Sequence, residues 1–124
     1  MEKRVIDSFD KAGWTVQASP RMRIELSANQ TFIPDIALYD DKHNLIAIVE
    51  VIASKEQLAP QRINIIDRMI KLSPASVVII TNGYAFDIYI DGQFTTQTVI
   101  CPTMDTCYFL IEHHEHIRKE ANRG

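Results

Sequence analysis

Apolar residues recur along the chain with two different periods, which separate helical from extended segments. Residues 2–12 place Val5 and Phe9 on one side of a helix, and Gly13 is suited to end it. A second helical stripe runs over residues 60–72. Pro60 lies at the start of this segment, and proline is favoured in a first helical turn. Pro74 ends the helix.

Two central segments, 34–40 and 45–52, are apolar at adjacent positions, which predicts strands buried on both faces. The other predicted elements are one or two strands within 14–32 that break near Ser19-Pro20, a strand at 77–81, a hairpin of 86–90 with 94–100, and a helix from Asp105 onward. This order predicts a single α/β domain over residues 1–124, with helices covering a sheet.

The composition agrees with a globular domain. Hydrophobic residues make up 46% of the 124 residues and charged residues 23%, and the net charge is −3. No apolar run approaches a membrane span, and the amino end lacks the apolar stretch of a signal peptide, so we expect a cytoplasmic location without membrane contact. Cys101 and Cys107 match no zinc or redox spacing.

The two central strands carry a candidate carboxylate pair. If Asp40 pairs with Leu45 across a four-residue loop, Asp35 lies opposite Glu50 on the same face of the sheet. Two like charges among apolar neighbours repel, so either one carboxyl group takes up a proton or a divalent cation lies between them. Carboxylate oxygens suit Mg²⁺ or Mn²⁺.

This pairing depends on the register. A loop of three or five residues would place the two carboxylates on different faces of the sheet. The alternative interpretation is that Glu50 is a solvated residue of an edge strand and that Asp35 caps a turn after Pro34.

The same residues resemble a known pattern. Pro34-Asp35, then Glu50 in an apolar strand, and later Thr-Asn-Gly at 81–83 are similar to the PD-(D/E)xK nuclease superfamily. The similarity is greatest to the amino-terminal domain of the restriction subunit of type I restriction enzymes. It implies a restriction-endonuclease-like core, which is a mixed β-sheet flanked by helices, and metal-dependent hydrolysis of DNA phosphodiester bonds.

The resemblance also implies site residues. Asp35 and Glu50 would bind Mg²⁺ or Mn²⁺, together with the main-chain carbonyl of Val51. Gln61 falls where these restriction subunits have a Gln-x-x-x-Tyr motif that lies near the substrate, although Ile65 stands at the tyrosine position.

The motif lysine is missing, because Ile52 stands where the pattern has Lys. Lys55 is the candidate to replace it as a catalytic residue, and a solvated loop lysine is the alternative. Three outcomes therefore remain open: an active nuclease that uses Lys55, a metal-binding nuclease with weak chemistry, or a non-catalytic module that binds nucleic acid or protein. The expected partners are DNA, other restriction-system subunits or a second copy of the chain.

A histidine-rich stretch near the carboxyl end is a further candidate. Glu112, His113 and His116 would share one face of a helix and resemble a metal-binding group. The alternative is a solvated terminal helix.

Overall fold

A computed structural model describes residues 1–53 and 58–123. The elements, in chain order, are α1 (Glu2–Lys11), β1 (Thr15–Ala18), β2 (Ile24–Ser27), β3 (Gln30–Phe32), β4 (Ile36–Tyr39), β5 (Leu45–Val51), α2 (Pro60–Leu72), β6 (Val77–Thr81), β7 (Phe86–Ile90), β8 (Gln93–Thr98) and α3 (Met104–Arg123). The predicted α/β class is confirmed, and α2, β6 and β7 have the predicted bounds.

The main sheet has six strands in the order β1-β4-β5-β6-β7-β8. Only β5 and β6 are parallel, and the other neighbours are antiparallel, so the sheet is mixed as predicted. α2 makes the connection between the two parallel strands, which hairpin turns cannot join. β2 and β3 form a separate two-stranded sheet.

Each face of the main sheet packs against its own hydrophobic core. On one face, α1 and α3 cover the sheet through Val5, Phe9 and Cys107. On the other face, α2 and the β2–β3 hairpin cover it through Ile66, Met69, Leu26 and their neighbours. Burial on both faces explains why the central strands are apolar at adjacent positions.

The first segment after α1 folds differently from the prediction. β1 ends at Ala18, and Ser19 takes a positive φ of 49°, so the expected break before Pro20 is confirmed. The rest of the segment does not extend the main sheet. It forms the β2–β3 hairpin, in which Ile24 and Phe32 are paired and buried on the side of α2.

The loop between β4 and β5 has five residues rather than four. Tyr39, not Asp40, pairs with Leu45, so the assumed starting pair is wrong. A bulge at Ile46 inserts one extra residue in β5, and beyond it Leu38 pairs with Ala47 and Ile36 with Val49. The bulge restores the register that the shorter loop would have produced.

Asp40 shapes this loop instead of continuing the strand. Its carboxylate accepts hydrogen bonds from the backbone N–H groups of Asn44 and Lys42, each at 2.9 Å, and from the Tyr108 hydroxyl at 2.8 Å. The Asn44 backbone bond contributes most to lowering the pKa of Asp40 to about 2. Asp40 therefore joins the loop to α3.

No helix within the described ranges is long and apolar enough to cross a membrane.

Candidate metal-binding carboxylate site

The candidate residues converge at one end of the central strands. Asp35 directly precedes β4, Glu50 lies near the end of β5, and Thr81 is the last residue of β6. Because β4 runs antiparallel and β6 parallel to β5, these three positions lie at the same end of the sheet. The restored register continues the β4–β5 pairing towards Asp35 and Glu50, as the sequence predicted.

Asp35 is anchored to both neighbouring strands. Its Oδ2 atom accepts a hydrogen bond of 2.9 Å from the backbone N–H of Val51, and its carbonyl accepts one of 2.9 Å from the backbone N–H of Ser19. These bonds hold the carboxylate against the end of β5, so its position follows from the strand pairing.

Glu50 is a buried carboxyl group, with only 2% of its surface exposed. Its Oε2 atom accepts a hydrogen bond of 2.9 Å from Nη2 of Arg62. Its Oε1 atom is buried and has no hydrogen-bond partner among the residues that the structure describes. An unpartnered buried oxygen is costly, which marks this atom as a candidate ligand.

The surroundings of Glu50 favour its protonated form in the absence of other ligands. Burial raises the pKa of Glu50 to about 9, and the adjacent Asp35 carboxyl group acts in the same direction. The positive charge of Arg62 opposes the shift without cancelling it. A strongly perturbed carboxyl group beside a second one is typical of functional sites.

This pKa shift predicts how stability depends on pH. Glu50 in the unfolded chain loses its proton near the ordinary glutamate pKa of 4.5, whereas the folded chain holds the proton to about pH 9. Relative to Glu50→Gln, the wild type should therefore lose free energy of unfolding as the pH rises between these values, by at most ~1.4 kcal/mol per pH unit. Urea unfolding of both metal-free proteins at about pH 5, 7 and 9 measures the difference. A difference that stays constant, or that shifts in favour of the wild type as the pH rises, would contradict the raised pKa of Glu50.

The carboxylate pair fits a divalent metal ion. Mg²⁺ is commonly held by one or two carboxylates and keeps several waters, so two adjacent carboxyl groups such as Asp35 and Glu50 suit it. The unpartnered Oε1 atom of Glu50 supplies a free oxygen.

Within residues 1–53 and 58–123, no cluster of three or more His, Cys, Asp or Glu residues has metal-binding geometry. This excludes a cluster at Glu112, His113 and His116, which lie exposed on α3.

The other predicted site residues have different outcomes. Ile52 is 8% exposed and packs in the core on the side of α2, so it supplies no charge to the site. Lys55 lies outside the described residues. Gln61 is exposed in the first turn of α2, next to Arg62. Its role at the substrate stays a prediction.

Arg62 is the site residue that the sequence did not assign. In the sequence, Arg62 is one of several basic residues of the 60–72 helix, together with Arg68 and Lys71. Its salt bridge with Glu50 depends on how α2 packs across the sheet. The one available signal is its position in the first turn of the helix that follows the Glu50 strand.

An exposed aromatic residue lies beyond the end of β6. Tyr84 is 71% exposed, and the Arg4 guanidinium stacks on its ring, with Cζ 4.4 Å from the ring centroid. Arg4 Nη2 also donates a hydrogen bond of 3.2 Å to the Gly83 carbonyl. These contacts tie α1 to the turn after β6, at the same end of the sheet as the carboxylates.

The mixed sheet and its flanking helices define a restriction-endonuclease-like domain. The chain belongs to the BsuBI/PstI restriction endonuclease domain family, whose model matches residues 5–88. The family and fold predicted from the sequence are therefore confirmed.

Two solved structures share the fold. One is the cryoEM structure of a DrdV–DNA complex, with 14% identity and a TM-score of 0.52, over 87% of this chain and 10% of that chain. The other is a fragment of a putative HsdR subunit of a type I restriction enzyme from Vibrio vulnificus YJ016. It has 14% identity and a TM-score of 0.53, over 86% of this chain and 23% of that chain. The chain thus spans under a quarter of either neighbour, and no curated protein matches it.

Proposed function

We propose that this chain is a metal-dependent nuclease domain that hydrolyses phosphodiester bonds of DNA at the Asp35–Glu50 site. The proposal rests chiefly on the carboxylate pair, in which a buried Glu50 oxygen has no partner among the described residues. Membership in a restriction endonuclease family and a structural neighbour solved with DNA support the choice of substrate.

Each residue has a distinct role in this proposal. Asp35, Glu50 and the Val51 carbonyl would hold Mg²⁺ or Mn²⁺, which lowers the pKa of a bound water and stabilises charge on the phosphate. The Val51 N–H keeps Asp35 in place, and the buried setting of Glu50 excludes competing water from one of its oxygens. Gln61, in the first turn of α2, would contact the substrate.

The reaction needs no co-reactant other than water. The water oxygen forms a bond to phosphorus, one P–O ester bond breaks, and the departing oxygen gains a proton to become a hydroxyl group. The products are two DNA ends, one carrying a phosphate monoester. Lys55 remains a candidate for the motif lysine in this reaction.

A non-catalytic DNA- or protein-binding module is the second candidate function. The observation that favours it is Ile52, which places a buried apolar side chain where the motif has a lysine. Such a module would act with other restriction-system subunits or as a homo-oligomer.

Plasmid cleavage distinguishes the two candidates. We expect the purified chain to nick or linearise supercoiled DNA in Mg²⁺ or Mn²⁺ and to be inactive in EDTA. DNA binding in a gel shift without cleavage in either metal would instead support the binding module. If the chain neither binds nor cleaves DNA, the proposed function is wrong.

A further inference from the structure

Residue 52 supplies no positive charge to the proposed nuclease site, because it is a buried isoleucine. A DNA phosphate that approaches Asp35 and Glu50 meets two acidic groups, and Ile52 contributes none of the compensation that a lysine would give. Catalysis of phosphoryl transfer depends largely on fixed positive charge around the phosphate. If the site is active, a side chain other than Ile52 would have to supply the charge that the motif lysine gives.

Arg62 lies where that cation is needed. Its Nη2 atom is 2.9 Å from Glu50 Oε2, and its Cζ atom is 5.5 Å from the centroid of the Phe32 ring. The guanidinium is thus close to both the carboxylate and the ring. The Arg62 side chain is nevertheless 43% exposed, so it is also accessible from solvent.

The chemistry of arginine suits this double contact. A guanidinium carries five N–H donors in a rigid plane, and the bond to Glu50 uses one of them. Its flat geometry matches both carboxylate and phosphate oxygens. A lysine at the start of α2 would be less suited to contacting the Glu50 carboxylate and a phosphate at the same time, because its ammonium group is a compact point charge.

We infer that Arg62 takes the place of the motif lysine and binds the scissile DNA phosphate while it remains in contact with Glu50. This inference rests on the proposed nuclease function. It assigns the site's cation to Arg62 of α2 rather than to Lys55, and it accounts for how the site would work with Ile52 at the motif position.

The test compares Arg62→Met and Arg62→Gln with a matched control, Arg118→Met. Arg118 is an exposed arginine on α3 that lies 4.0 Å from the Asp91 carboxylate. Glutamine keeps a hydrogen-bond donor for Glu50 without the charge, so it remains informative if methionine impairs folding. Two quantities are measured for each protein: the metal-dependent cleavage rate, and the Kd for a labelled duplex in EDTA at several salt concentrations.

We expect both Arg62 variants to cleave about 10²-fold more slowly than the wild type. Their Kd should rise, and the slope of log affinity against log salt should shrink by about 0.9, the loss of one phosphate contact. Arg118→Met should match the wild type in both measurements. A purely structural role for Arg62 would lower thermal stability without changing the salt slope.

The outcomes separate this inference from the proposed function. If the wild type cleaves DNA and both Arg62 variants cleave within about threefold of it with an unchanged salt slope, Arg62 is not the cation, although the nuclease assignment stands. If the wild type neither binds nor cleaves DNA, both the nuclease function and the Arg62 assignment are wrong.

Discussion

Asp35→Asn should abolish most metal-dependent DNA cleavage, with a rate at least about 10²-fold below the wild type. A metal ion at a phosphoryl-transfer site contributes several kcal/mol, and each ~1.4 kcal/mol corresponds to a tenfold change in rate. The substitution removes one of the two negative charges that would hold the ion. It retains an amide oxygen that can accept the hydrogen bond from the Val51 N–H, so the strand pairing should persist.

The matched control for this prediction is Asp41→Asn. Asp41 is an exposed aspartate in the loop between β4 and β5, so the substitution makes the same chemical change at the other end of these strands. We expect its cleavage rate to stay within about twofold of the wild type, as is usual for a surface change away from the site. Equal loss of activity in both variants would indicate a general charge effect and would contradict the site.

Phe9→Ala should lower the free energy of unfolding by about 3–5 kcal/mol, a large part of the stability of a small domain. Phe9 is fully buried in the core beneath α1, and its ring packs edge-to-face on Phe86 with centroids 5.7 Å apart. Truncation removes this contact and leaves a cavity, which the surrounding structure closes only partly. Urea unfolding monitored by circular dichroism measures the loss.

Phe109→Ala is the control for this stability prediction. Phe109 is also a helical phenylalanine, but 65% of its surface is exposed on α3. We expect a change within about 0.5 kcal/mol. Because α1 packs on the face opposite α2, Phe9→Ala should leave the cleavage rate per folded molecule unchanged. A Phe9→Ala protein as stable as the wild type would contradict the described core.

Local signals in the sequence predicted most of the architecture. α2 has the predicted bounds because Pro60 suits its first turn and Pro74 follows its end. The continuous apolar strands predicted burial on both faces. The separate β2–β3 hairpin was not predicted, because its residues alternate like those of any sheet strand. That β2 and β3 pair with each other rather than with the main sheet depends on their packing against α2, which the local sequence does not show.

The register of β4 against β5 was predicted correctly from an incorrect loop. The five-residue loop alone would separate Asp35 and Glu50 onto different faces, and the bulge at Ile46 compensates. The sequence does not predict that bulge, because Ile46 is as apolar as its neighbours Leu45 and Ala47. The hydrogen bonds of Asp40 explain the longer loop, and they depend in part on Tyr108 from α3, distant in sequence.

The electrostatics of the site were less predictable than its geometry. The sequence predicted two carboxylates among apolar residues, but the near-complete burial of Glu50 and its salt bridge with Arg62 follow from the packing of α2 on the sheet. This salt bridge joins side chains on two separate elements, β5 and α2. Local sequence patterns do not show which side chains of separate elements meet.

Calorimetric titration of Mn²⁺ tests the carboxylate site most directly. The wild type should bind the ion with an affinity that increases from about pH 6 to pH 9, because bound metal must displace the proton that Glu50 otherwise holds. Proton release should appear as a dependence of the measured heat on the ionisation enthalpy of the buffer. Asp35→Asn should bind far more weakly, and Asp41→Asn should bind like the wild type. Absence of Mn²⁺ binding to the wild type at millimolar concentration, or equal binding by Asp35→Asn, would contradict the account.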